Sequence, residues 1–151
     1  MRERATLPPP PVSWQNCARS FPGRPDQISA VRALLADFLA GFPAADDAVL
    51  LASELCTNAV THSASGRPCG TFTVRVRLAG TYLQAQVEDQ GSGWDGSLGP
   101  AEPPHGLYLL RALSAACGTF PGTCGWVTWF TLTPGHQPRR SPPPAELVTS
   151  P

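Results

Sequence analysis

Three short runs in the 151-residue sequence hold residue types whose spacing suits chemistry. Glu54, Asn58 and His62 stand four apart in a stretch otherwise rich in Leu, Ala, Val and Cys. On a helix they share one stripe, either a solvated face or one wall of a site. Asp89-Gln-Gly91-Ser-Gly93 places a carboxylate where a strand ends, followed by glycines that let backbone approach a ligand closely. The same pentapeptide also makes a good turn. His105-Gly106-Leu107 opens a helix after two prolines, and free N–H groups at a helix N-terminus can receive phosphate.

The elements that must position these groups follow from apolar periodicity. Ile28, Val31, Leu35, Phe38 and Leu39 mark one face of a helix from Asp26 to Leu39, with Pro25-Asp26 at its start and Gly41 at its end. A second helix is expected from about Ala44 to Ser63, entered through Pro43 and through Asp46 and Asp47, which suit a positively polarised N-terminus. Ser65-Gly66-Arg67-Pro68 ends it. The period then becomes two. Phe72, Val74, Val76 and Leu78 alternate with Thr71, Thr73, Arg75 and Arg77, and after Gly80 the residues Leu83, Ala85 and Val87 alternate with Gln84, Gln86 and Glu88. These are two half-buried strands of a hairpin. Residues 89–105 form a long loop, of the kind that is usually functional in a compact domain. Gly106 to Ala116 reads as a helix, and Phe120, Trp126, Thr128, Phe130 and Leu132 around Gly122 and Gly125 read as a closing hairpin.

Helix, helix, strand, strand, loop, helix, strand, strand is the order of an α+β two-layer sandwich, with helices on one face of a mixed or antiparallel sheet. The other face is polar through Arg75, Arg77, Gln84 and Gln86. Trp129, if it points that way, is either a contact surface or a covered ring.

Together, Glu-x-x-x-Asn on a helix, Asp-x-Gly-x-Gly after a strand and a Gly-Leu helix start are far more specific than each alone. Neither a Walker A loop nor G-x-G-x-x-G occurs. The combination resembles the GHKL superfamily of gyrase, Hsp90, histidine kinase and MutL relatives, with its Bergerat ATP-binding fold. Within it the sequence is similar to the anti-sigma-factor serine/threonine kinases, the SpoIIAB/RsbW-like family and its small actinobacterial relatives. Glu54 to His62 resembles the N box, Val87 to Gly93 the G1 box, and Gly106 to Leu110 the G2 box. The resemblance spans roughly residues 20 to 133.

That resemblance implies ATP and Mg²⁺ as cofactors. Asn58 would hold the metal with a hard amide oxygen, and Glu54 would be the general base for an attacking serine hydroxyl or water. Asp89 would accept a hydrogen bond from the adenine amino group. Gly91 and Gly93 would allow close approach, and Gly106 and Leu107 would present N–H groups to the phosphates. His62 serves either helix-end packing or phosphate contact, and His105 partly replaces a cationic clamp. The implied partners are a sigma factor and a STAS-type antagonist that receives the phosphoryl group, with homodimerisation as a family expectation. The sequence departs from the pattern at three places. Pro104 stands where the G2 box usually has its first glycine. The lid from Trp94 to His105 has no Lys or Arg, and the last strand's adenine-contacting Thr is matched by Val127, with Thr128 beside it. Pro104 and the uncharged lid favour an alternative, a non-catalytic nucleotide-binding or degenerate regulator acting by protein association.

Composition bounds the rest. Eleven Arg against 11 acidic residues give a formal net charge of zero, so no long-range field gathers nucleic acid. The 18 prolines, against a usual share of roughly 5%, crowd the ends. Pro-rich disordered tails are therefore expected over residues 1–15 and 134–151, flanking an ATP-binding domain at 16–133. Neither a membrane-length apolar run nor an apolar signal segment is present, so a soluble, cytoplasmic protein is expected. Five cysteines without a C-x-x-C pair indicate neither a disulfide framework nor a zinc site. Cys117 and Cys124 are placed where they could face each other across the closing hairpin.

Overall fold

The computed structural model describes residues 13–91 and 105–133, with the side chains of residues 105–107 left aside. Gly93, Pro104, the expected lid and most of both expected tails lie outside the described residues. The chain runs β1 (Gln15–Pro22), a 3-10 turn (Pro25–Gln27), α1 (Ile28–Phe38), α2 (Ala45–His62), a 3-10 turn (Ala64–Gly66), β2 (Thr71–Ala79), β3 (Tyr82–Glu88), α3 (His105–Leu113), β4 (Ala116–Pro121) and β5 (Trp126–Leu132). The five strands form one sheet in the order β1-β2-β3-β5-β4, every neighbouring pair antiparallel. This is the expected α+β sandwich, with the sheet wholly antiparallel.

The alternation in β2 and β3 fixes which face meets the helices. Phe72, Val74, Val76, Leu83, Ala85 and Val87 are all buried, and they join Val31 and Leu35 of α1 and Leu51, Leu55, Cys56 and Ala59 of α2 in one core. Leu110 of α3 and Phe130 and Leu132 of β5 complete it. Neither α1 nor α2 has a side-chain cap at its start. The first turn of α2 carries Asp46 and Asp47, whose charge suits the positive end of the helix dipole.

The first strand was not expected. β1 is an edge strand that pairs only with β2, and within it only Phe21 is buried, stacked on Phe72 with ring centroids 5.5 Å apart. Its other inward positions are Gln15, Cys17 and the exposed Arg19, whose guanidinium lies over the Phe21 ring, so no apolar alternation marks the strand in the sequence. One helix boundary and one cysteine placement also differ. α3 stops at Leu113 rather than Ala116, because Ser114 turns its hydroxyl back onto the Leu110 carbonyl and Ala115 N–H donates to Thr131 O at 2.8 Å, starting the next strand. Cys117 pairs across the sheet with Phe130 while Cys124 lies in the β4–β5 turn, so the two do not face each other and both are free thiols.

The outer sheet face carries Arg75, Arg77, Gln84 and Gln86, as expected, and with Asn16 and Ala18 they line a shallow groove of about 310 Å³. Trp129 does point outward. It is half-buried, lying flat over Gly118, where a Cβ would stand 3.0 Å from its ring. Trp14 closes the other end of this face, 4.3 Å beneath the Arg77 guanidinium and edge-on to Tyr82.

Candidate functional site

The stripe on α2 is oriented by Ser53, a buried hydroxyl that donates to Leu50 O at 2.8 Å and receives Arg32 of α1 at 3.4 Å. Successive helix residues are ~100° apart, so Glu54, Asn58 and His62 lie ~100°, ~140° and ~180° around the axis from Ser53. They therefore line the flank of α2 turned away from α1, the side left for α3, which also packs on α2. Glu54 and Asn58 are half-buried and His62 is exposed. Among the described residues no hydrogen bond or ion pair engages any of the three side chains. Glu54 and Asn58 are thus neither fully exposed nor paired within the described residues.

Asp89 follows β3 directly. Its N–H donates to Trp126 O at 2.9 Å, which extends the β3–β5 pairing by one residue, and its Oδ1 accepts from Gly91 N at 2.7 Å. Val87 faces the helices and Glu88 faces away, so alternation turns Asp89 toward the helix layer. The neighbourhood agrees, since a Cβ on Gly91 would stand 2.9 Å from Asp89 Oδ1 and 3.1 Å from the Cβ of Ser63, the residue that closes α2. A side chain at 91 would therefore press on the Asp89 carboxylate and on Ser63, and the Asp89 carboxylate lies beside the end of α2.

The register of β5 puts Val127 and Thr128 on opposite faces of the sheet. Thr128 pairs with Val87 and so shares its helix-facing side, half-buried, whereas Val127 pairs with Glu88 on the outer face. The hydroxyl at 128, not the side chain at 127, is on the same side as Asp89. On the outer face Glu88 is buried, with Oε1 3.2 Å from Arg75 Nη1 and Oε2 accepting from Cys124 N at 3.4 Å. This carboxylate fastens the β4–β5 turn to β3, and Gly125 of that turn lies against the G1 backbone, where a Cβ would fall 2.1 Å from Asp89 O.

α3 opens at His105, so the N–H groups of His105, Gly106 and Leu107 stand in the first turn, where they have no acceptor within the helix. The structure thus brings Glu54, Asn58 and His62 to one flank of α2 and places Asp89, Gly91 and Thr128 on the helix side of β3 and β5. Sequence reasoning missed Ser65, whose hydroxyl accepts from Gln90 N, and Gln90, whose Oε1 accepts from Thr71 N. Gln90 sits at a spacer position of the motif, and nothing in residue type signals a bond to backbone.

The donor set bears on a metal. Among the described residues no cluster of three His, Cys, Asp or Glu could hold an ion unaided. Asn58 offers one half-buried, unpartnered amide oxygen, which fits Mg²⁺ arriving with nucleotide phosphates and keeping waters of its own, and does not fit an all-protein cage. Among the described residues no helix is long and apolar enough to cross a membrane.

Comparison with known proteins places the chain in a family. Residues 21–129 match the histidine kinase-like ATPase domain. The chain is 32% identical over 112 residues to the serine-protein kinase RsbW of Bacillus velezensis, covering 62% of this chain and 70% of that protein. It is 29% identical over 111 residues to the serine-protein kinase RsbW of Bacillus licheniformis, covering 61% and 69%. It is also similar to the crystal structure of the RsbU and RsbW domains of Rv1364c from Mycobacterium tuberculosis, with a TM-score of 0.60 and 25% identity. That match covers 78% of this chain but spans only 32% of the other. The chain belongs to the histidine kinase-like ATPase domain family, among its RsbW serine-protein kinase relatives.

Proposed function

We propose that the protein binds Mg-ATP between α2, α3 and the β3–β5 end of the sheet, and acts as an anti-sigma regulatory factor with serine/threonine protein kinase activity. The observation that carries the reading is the pairing of two walls. Half-buried Glu54 and Asn58, without partners among the described residues, lie on the α3 side of α2, and Asp89 is fixed beside that helix's end. Asp89 would select adenine through its exocyclic amine, with Thr128 on the same side of the sheet. Asn58 would hold Mg²⁺, which when bound neutralises charge on the phosphates. Glu54, one turn before Asn58, would accept the proton of a serine hydroxyl as it attacks. The first turn of α3, with Gly106 and Leu107, would donate N–H groups to phosphate oxygens, with His62, His105 and Gly93 as further contacts. The partners of this reading are a sigma factor and a STAS-type antagonist.

A second reading, a nucleotide-binding regulator without turnover, is favoured by Pro104, which lacks an N–H and fixes φ where the related pattern has glycine. A calorimetric titration with Mg-ATP comes first, then phosphoryl transfer from labelled ATP to STAS-type candidates, with Glu54→Ala as control. Binding with transfer lost in Glu54→Ala supports the kinase. Binding without transfer to any candidate supports the second reading, and no binding up to millimolar ATP refutes the kinase and leaves a vestigial site, the degenerate form of the second reading.

A further inference from the structure

Residues 63–70, of which Ser65 to Pro68 are read from sequence as a helix stop, join the two walls of the site. Ser63 donates its hydroxyl to Ala59 O at 2.6 Å and accepts Ser65 N–H at 3.1 Å. Ser65 is fully buried, and its Oγ accepts the Gln90 N–H at 2.9 Å. Gln90 is held a second time, its Oε1 accepting Thr71 N–H at 3.0 Å at the start of β2. On either side of Gln90 lie Asp89 and Gly91, tied to each other by Gly91 N to Asp89 Oδ1. Among the described residues Oδ2 of Asp89 accepts no hydrogen bond, which leaves that oxygen for a ligand.

We infer that Ser65, with Gln90, is the positioning residue that aims the Asp89 carboxylate, and so sets the preference of the site for adenine over guanine. The inference rests on the reading of Asp89 as the adenine acceptor. Its physical content is geometric. A carboxylate selects an exocyclic amine over a carbonyl only if it is held at one distance and angle, because a mobile carboxylate can swing away from the guanine O6 that it should repel. Asp89 is fixed by its own N–H to Trp126 O on one side and by the Gly91 N–H to its Oδ1 on the other, with the intervening Gln90 N–H anchored on Ser65. Removing the Ser65 hydroxyl leaves a Gln90 N–H without its acceptor and frees that second side.

The test compares Mg-ATP, Mg-GTP and magnesium tripolyphosphate by calorimetry for wild type, Ser65→Ala, Gln90→Ala and Asp89→Asn. Gln90 is partly exposed, so its variant reports even if the buried Ser65 change impairs folding. Ser65→Ala is expected to weaken ATP about tenfold, bringing the ATP-to-GTP ratio down by the same factor, with tripolyphosphate unchanged. Gln90→Ala should lower the ratio about threefold. Amide exchange at Gln90 and Gly91 should rise in Ser65→Ala while the amides of α2 keep their protection. An unchanged ratio in both variants, with Asp89→Asn lowering it, overturns the positioning role and leaves the adenine reading standing. An unchanged ratio in Asp89→Asn, or none in the wild type, overturns the reading of Asp89 and the inference with it.

Discussion

Gly125→Ala should damage the protein well beyond the ordinary cost of replacing a turn glycine, and the reason is one contact. A Cβ at 125 would fall 2.1 Å from the carbonyl oxygen of Asp89 and 2.8 Å from Gly91 N. Restoring an ordinary separation of ~3.5 Å from that oxygen needs a movement of about 1.4 Å. The next residue, Trp126, accepts the Asp89 N–H at 2.9 Å, and a hydrogen bond stretched by that much is lost. Overpacking costs about 1–3 kcal/mol and the lost bond about 1 kcal/mol, so the substitution should cost about 2–4 kcal/mol. Gly80→Ala is the comparator. Gly80 has φ +58° but open space around its Cβ position, so that change costs about 1 kcal/mol in conformation alone. Urea denaturation of both variants gives the two numbers, and amide exchange at Asp89 reports the local effect. A Gly125→Ala protein no less stable than Gly80→Ala, with Asp89 still protected, would refute the packing of the hairpin turn on the G1 loop.

Cys69 has φ +64°, a left-handed conformation that costs a side chain about 1 kcal/mol. Cys69→Gly should therefore gain a few tenths to 1 kcal/mol after the extra freedom of the unfolded chain is counted, and raise Tm by a few degrees. A lower Tm would contradict the assignment. The thiols should separate by burial. Cys69 and Cys124 are exposed and Cys17 and Cys117 half-buried, whereas burial pushes the Cys56 thiol far up and keeps it protonated. Burial also raises Cys17, against a smaller opposing effect of Arg19. In the folded protein at pH 8 an alkylating reagent should label Cys69 and Cys124 first and Cys56 only on unfolding. Mass mapping that finds Cys56 labelled as fast as Cys69 would count against the core packing.

Much of this was legible because one face of each element is wet. β2 and β3 alternate cleanly since Arg75, Arg77, Gln84 and Gln86 lie on the open face of the sheet. Glu54, Asn58 and His62 stand out because they interrupt an apolar helix. β1 was not legible, since an edge strand with one buried side chain has no reason to alternate. The choice between Val127 and Thr128 needed the register of β5, because a shift of one residue exchanges the two faces. Ser65 and Gln90 were missed for a different reason. Each acts on a backbone N–H, and backbone is the same at every position.

The crossing at Ser65 has a consequence for how far the sequence can drift. Gly23, at the end of β1, donates its N–H to Gly70 O at 2.9 Å. A Cβ at 23 or 70 would lie within 2.1 Å of Ser65 O, and one at 66 would lie 1.9 Å from Val60 O. The segment from Val60 to Gly70 and the distant Gly23 therefore meet main chain to main chain, with no side chain between them that could rotate to make room. Positions 23, 66 and 70 bear no functional group, yet they should tolerate substitution less than the exposed residues Arg67 and Pro68 among them. The latitude of the site is set by three hydrogens in place of methyl groups, one of them just past a strand that contributes no side chain to it.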